Sequence, residues 1–494
     1  MIDVLVIGAG PAGCHTAALL AQSGYDVHVL EEHPVVGEPV DCSGIIGAEA
    51  FDELEVADRL RLGEINSIEF VSPAGYRFDL ALDSPLAYIV DRSAFDRAIA
   101  ADAGESGAKI HTAARVLDLN LGEGYVEATV QRIESTVSSH CGYDQKSTVN
   151  GQESTVNSQS SNGQKLIVNC QWTRGTTLDE LRLTNNLLAS HPTIDQLPLT
   201  INHGGVVVGI GSQALDELRL TNNVRVPRPA IDQLLMIDNQ QPEKVRARVA
   251  ILAGGPKYKL QHKLGMGKPK EFLKTAQVEL PLRMPVGAKI FLGSGVAPGS
   301  FGWLAPFKRG CKEHARIGVS AKMAAAPFLR RRIADLESQG LLDCTETPIR
   351  SWVIPASPIK RTYAERVLAV GDAAGQTKPT TGGGIYYGIL GAKAAAKTVA
   401  EAFEKGDFSA GFLSRYEKEW KKSIGGEVRR GAFFRRLFER LSDKDIDDLF
   451  RVVLSDGVLS SLTKTARFDW HRDAINFILR HPELGKIFLR GLFR

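Results

Sequence analysis

The chain has 494 residues, 43% hydrophobic and 24% charged, with a formal net charge of +3. That length exceeds one small core and predicts two or three structural units, and so small a bulk charge gives no argument for nucleic-acid binding. Six cysteines with no C-x-x-C pair offer no zinc-site spacing, so no metal is expected, and they fit a reducing cytosol.

The chain opens on an apolar strand without a basic signal-peptide start, and no apolar run reaches the roughly 18 residues of a membrane span. A cytoplasmic protein is expected, with any membrane contact peripheral. Val4, Leu5, Val6 and Ile7 predict a strand buried on both faces of a parallel sheet. Gly8-Ala9-Gly10-Pro11-Ala12-Gly13 follows, then a helical pattern that stops at Gly24, then a second strand from Val27 to Glu31. Gly8 permits the tight turn, Gly10 lets the backbone approach a pyrophosphate, and Gly13 lets helix pack close on strand. The helix start, with Pro11 and Ala12, offers free N–H groups to phosphates. Glu31, with Glu32 beside it, stands where a ribose hydroxyl donates. These residues alone leave FAD and NAD as alternatives.

Later elements favour FAD. Arg92 precedes a helix, where it faces cofactor phosphates or is a surface arginine. Residues 246–255 read as a buried strand ending in a glycine turn. Residues 367–375 read as a late strand ending in Gly371-Asp372, followed by Gly382-Gly383-Gly384-Ile385 and a helix from Tyr386 to Phe403. Asp372 is placed to bond ribityl or ribose hydroxyls. The glycine turn presents N–H groups to the electron-rich edge of an isoalloxazine ring. Val116 completes the expected cofactor-binding set.

Together these elements resemble the glutathione-reductase type of FAD fold in its p-hydroxybenzoate-hydroxylase-like branch, and within it the geranylgeranyl reductase family. The resemblance covers residues 1–130 and 245–425. Two local stretches carry it. In Gly37-Glu38-Pro39-Val40-Asp41-Cys42-Ser43-Gly44 the family has a similar loop, with a cysteine and a glycine close to the flavin; Asp41 stands where many relatives have a basic residue. Cys42 is either a packed thiol or a flavin-facing catalytic group. In Pro298-Gly299-Ser300-Phe301-Gly302-Trp303-Leu304-Ala305-Pro306 the family motif is P-x-x-Y-x-W-x-F-P. Trp303 and both prolines match, Phe301 replaces tyrosine and Ala305 replaces phenylalanine. Phe301, Trp303 and Pro306 are the expected substrate contacts, and alternation puts the two rings on one face, where they either line an apolar tunnel beside the flavin or pack as core aromatics. The small Ala305 widens the tunnel or changes chain selectivity.

The resemblance implies an α/β protein with a Rossmann-like FAD-binding domain, an antiparallel-sheet substrate domain and a helical C-terminal part. We assign residues 1–62, 92–130, 245–260 and 362–405 to the first, 63–91 and 261–361 to the second, and 406–494 to the third. Residues 131–244 depart from the family pattern. Ser147-Thr148-Val149-Asn150 recurs at 154–157, residues 178–186 recur at 215–223, and residues 194–197 recur at 231–234. This predicts a duplicated, partly low-complexity and solvated insertion; its Gly209-Ile210-Gly211 is not a second dinucleotide turn.

Between Lys421 and Arg440 stand seven basic residues, mixed with Phe433, Phe434, Leu437 and Phe438. They form either a membrane-surface helix or a lid on the substrate domain. Lys308, Arg309 and Lys312 meet a lipid headgroup or form a solvated turn.

The implied activity is FAD-dependent reduction of C=C bonds in a polyprenyl lipid, such as a geranylgeranyl diphosphate, a digeranylgeranylglycerol lipid, or a chlorophyll or menaquinone side chain. Electrons would come from NAD(P)H or a ferredoxin. The alternatives are an aromatic monooxygenase of the same fold and a non-catalytic FAD-binding relative.

Overall fold

The computed structural model describes residues 1–40, 42–133, 241–342, 347–455 and 457–492, with short strand segments at 170–171, 182–183, 200–202 and 205–207. The chain divides into two compact units, Met1–Gln131 with Gln241–Arg494, and Arg132–Gln240.

In the first unit, parallel strands β1 (Ile2–Ile7), β2 (Val27–Leu30) and β8 (Lys109–His111) are three members of an eight-stranded sheet. On the other side of β1, β15 (Glu243–Leu252) and β22 (Val367–Ala369) continue it in parallel, and β21 (Tyr363–Ala364) closes the edge. The central strands are apolar in nearly every position because both faces are covered, one by helices and the other by residues 114–130 of the neighbouring strands: Val4, Leu5 and Val6 are fully buried. Helix α1 (Pro11–Gln22) packs on one face beside α3 (Arg92–Glu105) and a 21-residue helix, α6 (Ile385–Lys405). Between them run the short helices and strands β3 (Ile45–Gly47), α2 (Ala48–Glu53), β4 (Arg61–Ile65), β5 (Ser67–Val71), β6 (Arg77–Ala81) and β7 (Ala87–Val90).

Strands β9 (Ala114–Gly122) and β10 (Tyr125–Arg132) add to the first sheet through β10, which pairs antiparallel with the first half of β15. Val130 sits opposite Glu243, so the intervening residues leave and rejoin the sheet at one pair of strand ends. The second unit contains the strand pairs β11 (Cys170–Gln171) with β12 (Arg182–Leu183) and β13 (Thr200–Asn202) with β14 (Gly205–Val207). Apart from these segments, the predicted repeats and Gly209-Ile210-Gly211 lie outside the described residues.

A seven-stranded sheet lies in the order β20–β16–β19–β18–β17–β5–β6. Its later strands are β16 (Phe272–Pro281), β17 (Ala288–Phe291), β18 (Gly302–Arg309), β19 (Lys312–Ala321) and β20 (Arg350–Pro355), with α4 (Lys259–Lys263) before it and α5 (Ala326–Ser338) packed against it. All pairs are antiparallel except β17 with β5. A third, three-stranded sheet, β3–β7–β4, straddles the division drawn at residue 62.

Six helices follow: α7 (Ala410–Ser423), α8 (Gly425–Phe438), α9 (Asp443–Val453), α10 (Val458–Thr465), α11 (Arg472–Arg480) and α12 (Pro482–Leu492). Residue 406 is not a structural break. Leu413, Tyr416 and Trp420 of α7 are buried in the same core as α1 and α6. Trp420 Nε1 donates to Thr362 Oγ1 at 3.0 Å, so its polar edge is satisfied as its rings pack. None of the described helices is long and apolar enough to cross a membrane.

Candidate functional site

The first turn is built as its glycines dictate. Gly8 has φ +105°, and a Cβ there would press into the Ala253 and Gly254 backbone. A Cβ on Gly13 would collide with the Gly8 carbonyl, so α1 seats tightly on β1. Among the described residues no protein atom lies within 4 Å of the Gly10 Cβ position, so its face is left open. Glu31 braces the turn: Oε2 accepts from Ala9 N–H at 2.8 Å, and Oε1 accepts from the His33 N–H at 3.0 Å and meets the His33 ring at 2.6 Å. Burial works to raise the Glu31 carboxyl, but these hydrogen bonds outweigh it and hold it below its ordinary value. Glu32 pairs with Lys257 and Arg115.

The late turn is equally braced. Tyr258 Oη donates to Asp372 O at 2.8 Å and Gln261 Nε2 to Ala373 O at 3.1 Å. From α7, Tyr416 Oη donates to Ala369 O at 2.6 Å, while Gln376 Nε2 donates to Tyr416 Oη and Gln376 Oε1 accepts from Gly371 N–H. The Gly384 Cβ position lies 2.6 Å from Asp372 Oδ1, so only glycine lets the turn close against that carboxyl. Burial pushes Asp372 up to about 6, against the pull of Arg92.

A carboxyl raised on folding keeps its proton in the folded chain after losing it in the unfolded one. Flavin-free protein should therefore lose stability as pH climbs from the ordinary 3.8 to about 6. Asp372→Asn should remove that loss, gaining on the wild type through the window by on the order of 2–3 kcal/mol. Parallel thermal-unfolding curves for the two proteins from about pH 4 to 7 would refute it.

Arg92 donates three hydrogen bonds to Asp96, at 2.7–2.9 Å, so its charge is largely answered within α3. Cys42 lies in the fields of Arg92 and Arg316, and its Sγ accepts from Gly44 N–H at 3.4 Å. Arg316, which the sequence reading missed, reaches out of β19: its Nη1 donates to Ser43 O at 2.7 Å and Val90 O at 2.9 Å. It fastens the cysteine loop to the seven-stranded sheet. A Cβ on Gly44 would collide with that guanidinium, which is why the position is glycine.

These parts face one cavity of about 1330 Å³. Of the predicted cofactor residues, Gly8, Gly10, Pro11, Ala12, Glu31, Glu32, Cys42, Arg92, Val116, Gly371, Asp372, Gly382, Gly383, Gly384 and Ile385 line it. Gly13 and Gly44 stand behind the lining as packing positions, and Asp41 lies outside the described residues. Phe301 and Trp303 line the cavity, their centroids 6.0 Å apart, and so does Ala305; Pro306, on the opposite face of β18, does not.

Sequence reasoning missed the rest of the apolar wall. It is supplied by Phe70 and Phe78 of the sheet and by Phe450, Ile475, Ile478 and Phe488 of the last helices. Phe78 stacks with Phe70 at 5.0 Å and meets Phe450 at 4.9 Å, which joins sheet to helices. The i, i+4, i+7 spacing of Ile446, Phe450 and Val453 was the available signal.

The basic helix α8 divides its residues. Phe434 and Phe438 line the cavity, Arg435 turns inward to Glu271 and Glu439, and Phe433 is 44% exposed. Lys308 and Arg309 pair with Glu313 and Glu279, away from the cavity.

Trp303 sits over Gly318 of β19, where a Cβ would drive into its indole. Gly318→Ala should displace the ring, lower stability by about 1–3 kcal/mol and alter the near-ultraviolet tryptophan signal. An unchanged signal would contradict the packing described.

Fold and site define a dinucleotide-binding protein with an antiparallel sheet and a helical cover over one shared cavity. Residues 6–40 match the family model of the NAD(P)-binding Rossmann-like domain. Over 453 residues the chain is 25% identical to digeranylgeranylglycerophospholipid reductase 1 of Methanococcoides burtonii, covering 90% of this chain and 86% of that one. Its fold resembles a geranylgeranyl bacteriochlorophyll reductase-like protein from Thermoplasma acidophilum, at TM-score 0.68 and 18% identity over 99% of both chains. A p-nitrophenol 4-monooxygenase from Pseudomonas putida is similar at TM-score 0.57 and 14% identity, over 94% of this chain and 97% of that one. The resemblance to the geranylgeranyl reductase family is thus borne out along nearly the whole chain.

Proposed function

We propose that this protein is an FAD-dependent reductase that saturates C=C bonds of a polyprenyl lipid, a digeranylgeranylglycerophospholipid being the first candidate. The observation that carries the reading is the continuity of the cavity: the open face at Gly10 and the aromatic wall at Trp303 belong to the same space. At about 1330 Å³ it exceeds the roughly 300–1,000 Å³ of most small-molecule sites, which suits a dinucleotide with an apolar chain beside it.

The residues fit FAD. The turn at Gly8 to Ala12 and the start of α1 would receive the pyrophosphate. Glu31 and Glu32 would serve the ribose, Asp372 the ribityl chain, and the turn at Gly382 to Ile385 the ring. Bound and reduced, FAD supplies hydride for addition to an alkene carbon. The protein's own share is to hold the isoprene unit and exclude water, with Phe301 and Trp303 as walls; proximity in a dry site contributes much of the rate. Cys42 and flavin-bound water are the two candidates for handling the accompanying proton. Electrons would enter from NAD(P)H or a ferredoxin. Exposed Phe433 and Leu489, with Arg490 nearby, suit a peripheral contact with the membrane that holds the lipid.

The test is to purify the protein, identify its flavin in an extracted aliquot, reduce the flavin-loaded remainder with dithionite and offer the digeranylgeranyl lipid. A mass gain of two hydrogens per saturated bond is expected. Bound FAD with no mass shift on any polyprenyl substrate would reject the reading. Oxygen uptake with an aromatic substrate would replace it by the monooxygenase alternative.

A further inference from the structure

Lys378 and Asp469 form a charge pair that the fold has removed from water. Nζ lies 2.7 Å from Oδ1, and each side chain is only 4% exposed. The two residues are 91 positions apart, one beside the late glycine turn and the other between α10 and α11. Such a pair is seldom worth more to stability than apolar residues of the same size. Its place in the cavity wall calls for another reason.

Lys378 is built into the turn: its N–H donates to Gly383 O at 2.9 Å, and its carbonyl accepts from Gly382 N–H at 2.8 Å. Its Nζ lies 2.9 Å from the Gly383 Cβ position, so the ammonium fills space that a side chain there would take. Nζ also donates to Phe468 O at 3.0 Å. Asp469 uses one oxygen for this pair; the other, Oδ2, is buried without a hydrogen-bond partner among the described residues. A buried orphan of this kind marks a strained or functional group.

The ring and hydroxyl groups beside the pair are neutral, and the Glu427 carboxylate stands one step away, accepting from the His471 N–H at 2.9 Å. His471 Nε2 donates to Phe468 O at 2.9 Å, so its Nδ1 accepts from Thr380 Oγ1 at 2.5 Å, and burial keeps the ring neutral, down to about 4. Tyr387 Oη donates to the Asp469 carbonyl at 3.0 Å.

We propose that Lys378, held in place by Asp469, is a positioning residue that stabilises negative charge on the reduced flavin at the turn formed by residues 382–384. This rests on the flavin reading above. Two electrons and one proton taken from an external reductant leave one additional negative charge on the ring. The Lys378 ammonium reinforces the positive end of α6 where that charge arrives. Asp469 fixes the ammonium and moderates its field.

The experiment is to measure the two-electron reduction potential of purified holoprotein against a reference dye. Lys378→Met should disfavour reduction by on the order of tenfold, about 30 mV for a two-electron couple. Asp469→Asn should shift the potential by a similar amount in the opposite direction. The double variant should fall between the single ones, and Lys378→Arg should stay near the wild type. A latch that only holds residues 466–471 in place would shift both single variants alike. Shifts of the same sign, or none with flavin bound, would overturn the proposal. It fails alone if the wild type still saturates prenyl bonds; a wild type that carries no flavin would sink the functional reading with it.

Discussion

Gly10→Val should give a protein that folds as stably as the wild type and carries no flavin. The reason lies in the different surroundings of three glycines in one turn. Gly10 has ordinary extended backbone, φ −71° and ψ 174°, and nothing within 4 Å of its Cβ position. A side chain there begins from a Cβ position clear of every described protein atom, so unfolding should change by no more than about 0.5 kcal/mol. It occupies the space through which a pyrophosphate approaches the helix start. Affinity for FAD should fall at least about 100-fold, close to 3 kcal/mol.

Gly13→Ala should do the reverse damage: its Cβ collides with the Gly8 carbonyl, which costs about 1–3 kcal/mol of stability or more. Absorbance of the purified protein near the flavin bands, with thermal unfolding of both variants, separates the two effects. A Gly10→Val protein that retains stoichiometric flavin would refute the assignment of this turn.

The dinucleotide turn was legible because its requirements are local. Each of Gly8, Gly10 and Gly13 answers a backbone constraint within a few residues, and Glu31 follows at the end of the next strand. The late turn was legible for the same reason, since Gly371, Asp372 and Gly382 to Gly384 stand on one short stretch. The supports of the late turn and of the cysteine loop were not legible. Tyr416 reaches Ala369 across 47 residues and Arg316 reaches Ser43 across 273, and nothing in local composition distinguishes Arg316 from a surface arginine. The apolar wall was partly legible: the alternation at Phe301 and Trp303 is a strand signal, whereas Phe450, Ile475 and Phe488 gain meaning only when three helices converge. Lys378 was overlooked although a charged residue inside a run of Thr, Pro and Gly is unusual, because its partner Asp469 is 91 positions away.

Ala305→Phe should spare flavin content and abolish most reduction of long prenyl chains. Ala305 is 2% exposed, on the same face of β18 as Trp303, and packs in a cluster with Ile65, Ile89, Ala288 and Phe307. It also lines the cavity, so a ring added there has one direction of relief, into the space assigned to the lipid. Overpacking should lower stability by about 1–3 kcal/mol. The two turns proposed to hold the flavin, from Gly8 to Glu31 and from Gly371 to Ile385, use other elements, so the flavin spectrum should stay as in the wild type. Turnover of a geranylgeranyl lipid should fall by on the order of 30-fold, about 2 kcal/mol, with a smaller loss for a chain of one or two isoprene units. That graded dependence on chain length separates a narrowed tunnel from general damage, which would reduce both substrates alike. Unchanged kinetics on the long chain, with flavin bound, would mean that the prenyl group does not pass Ala305, and the aromatic wall at Phe301 and Trp303 would then need another occupant.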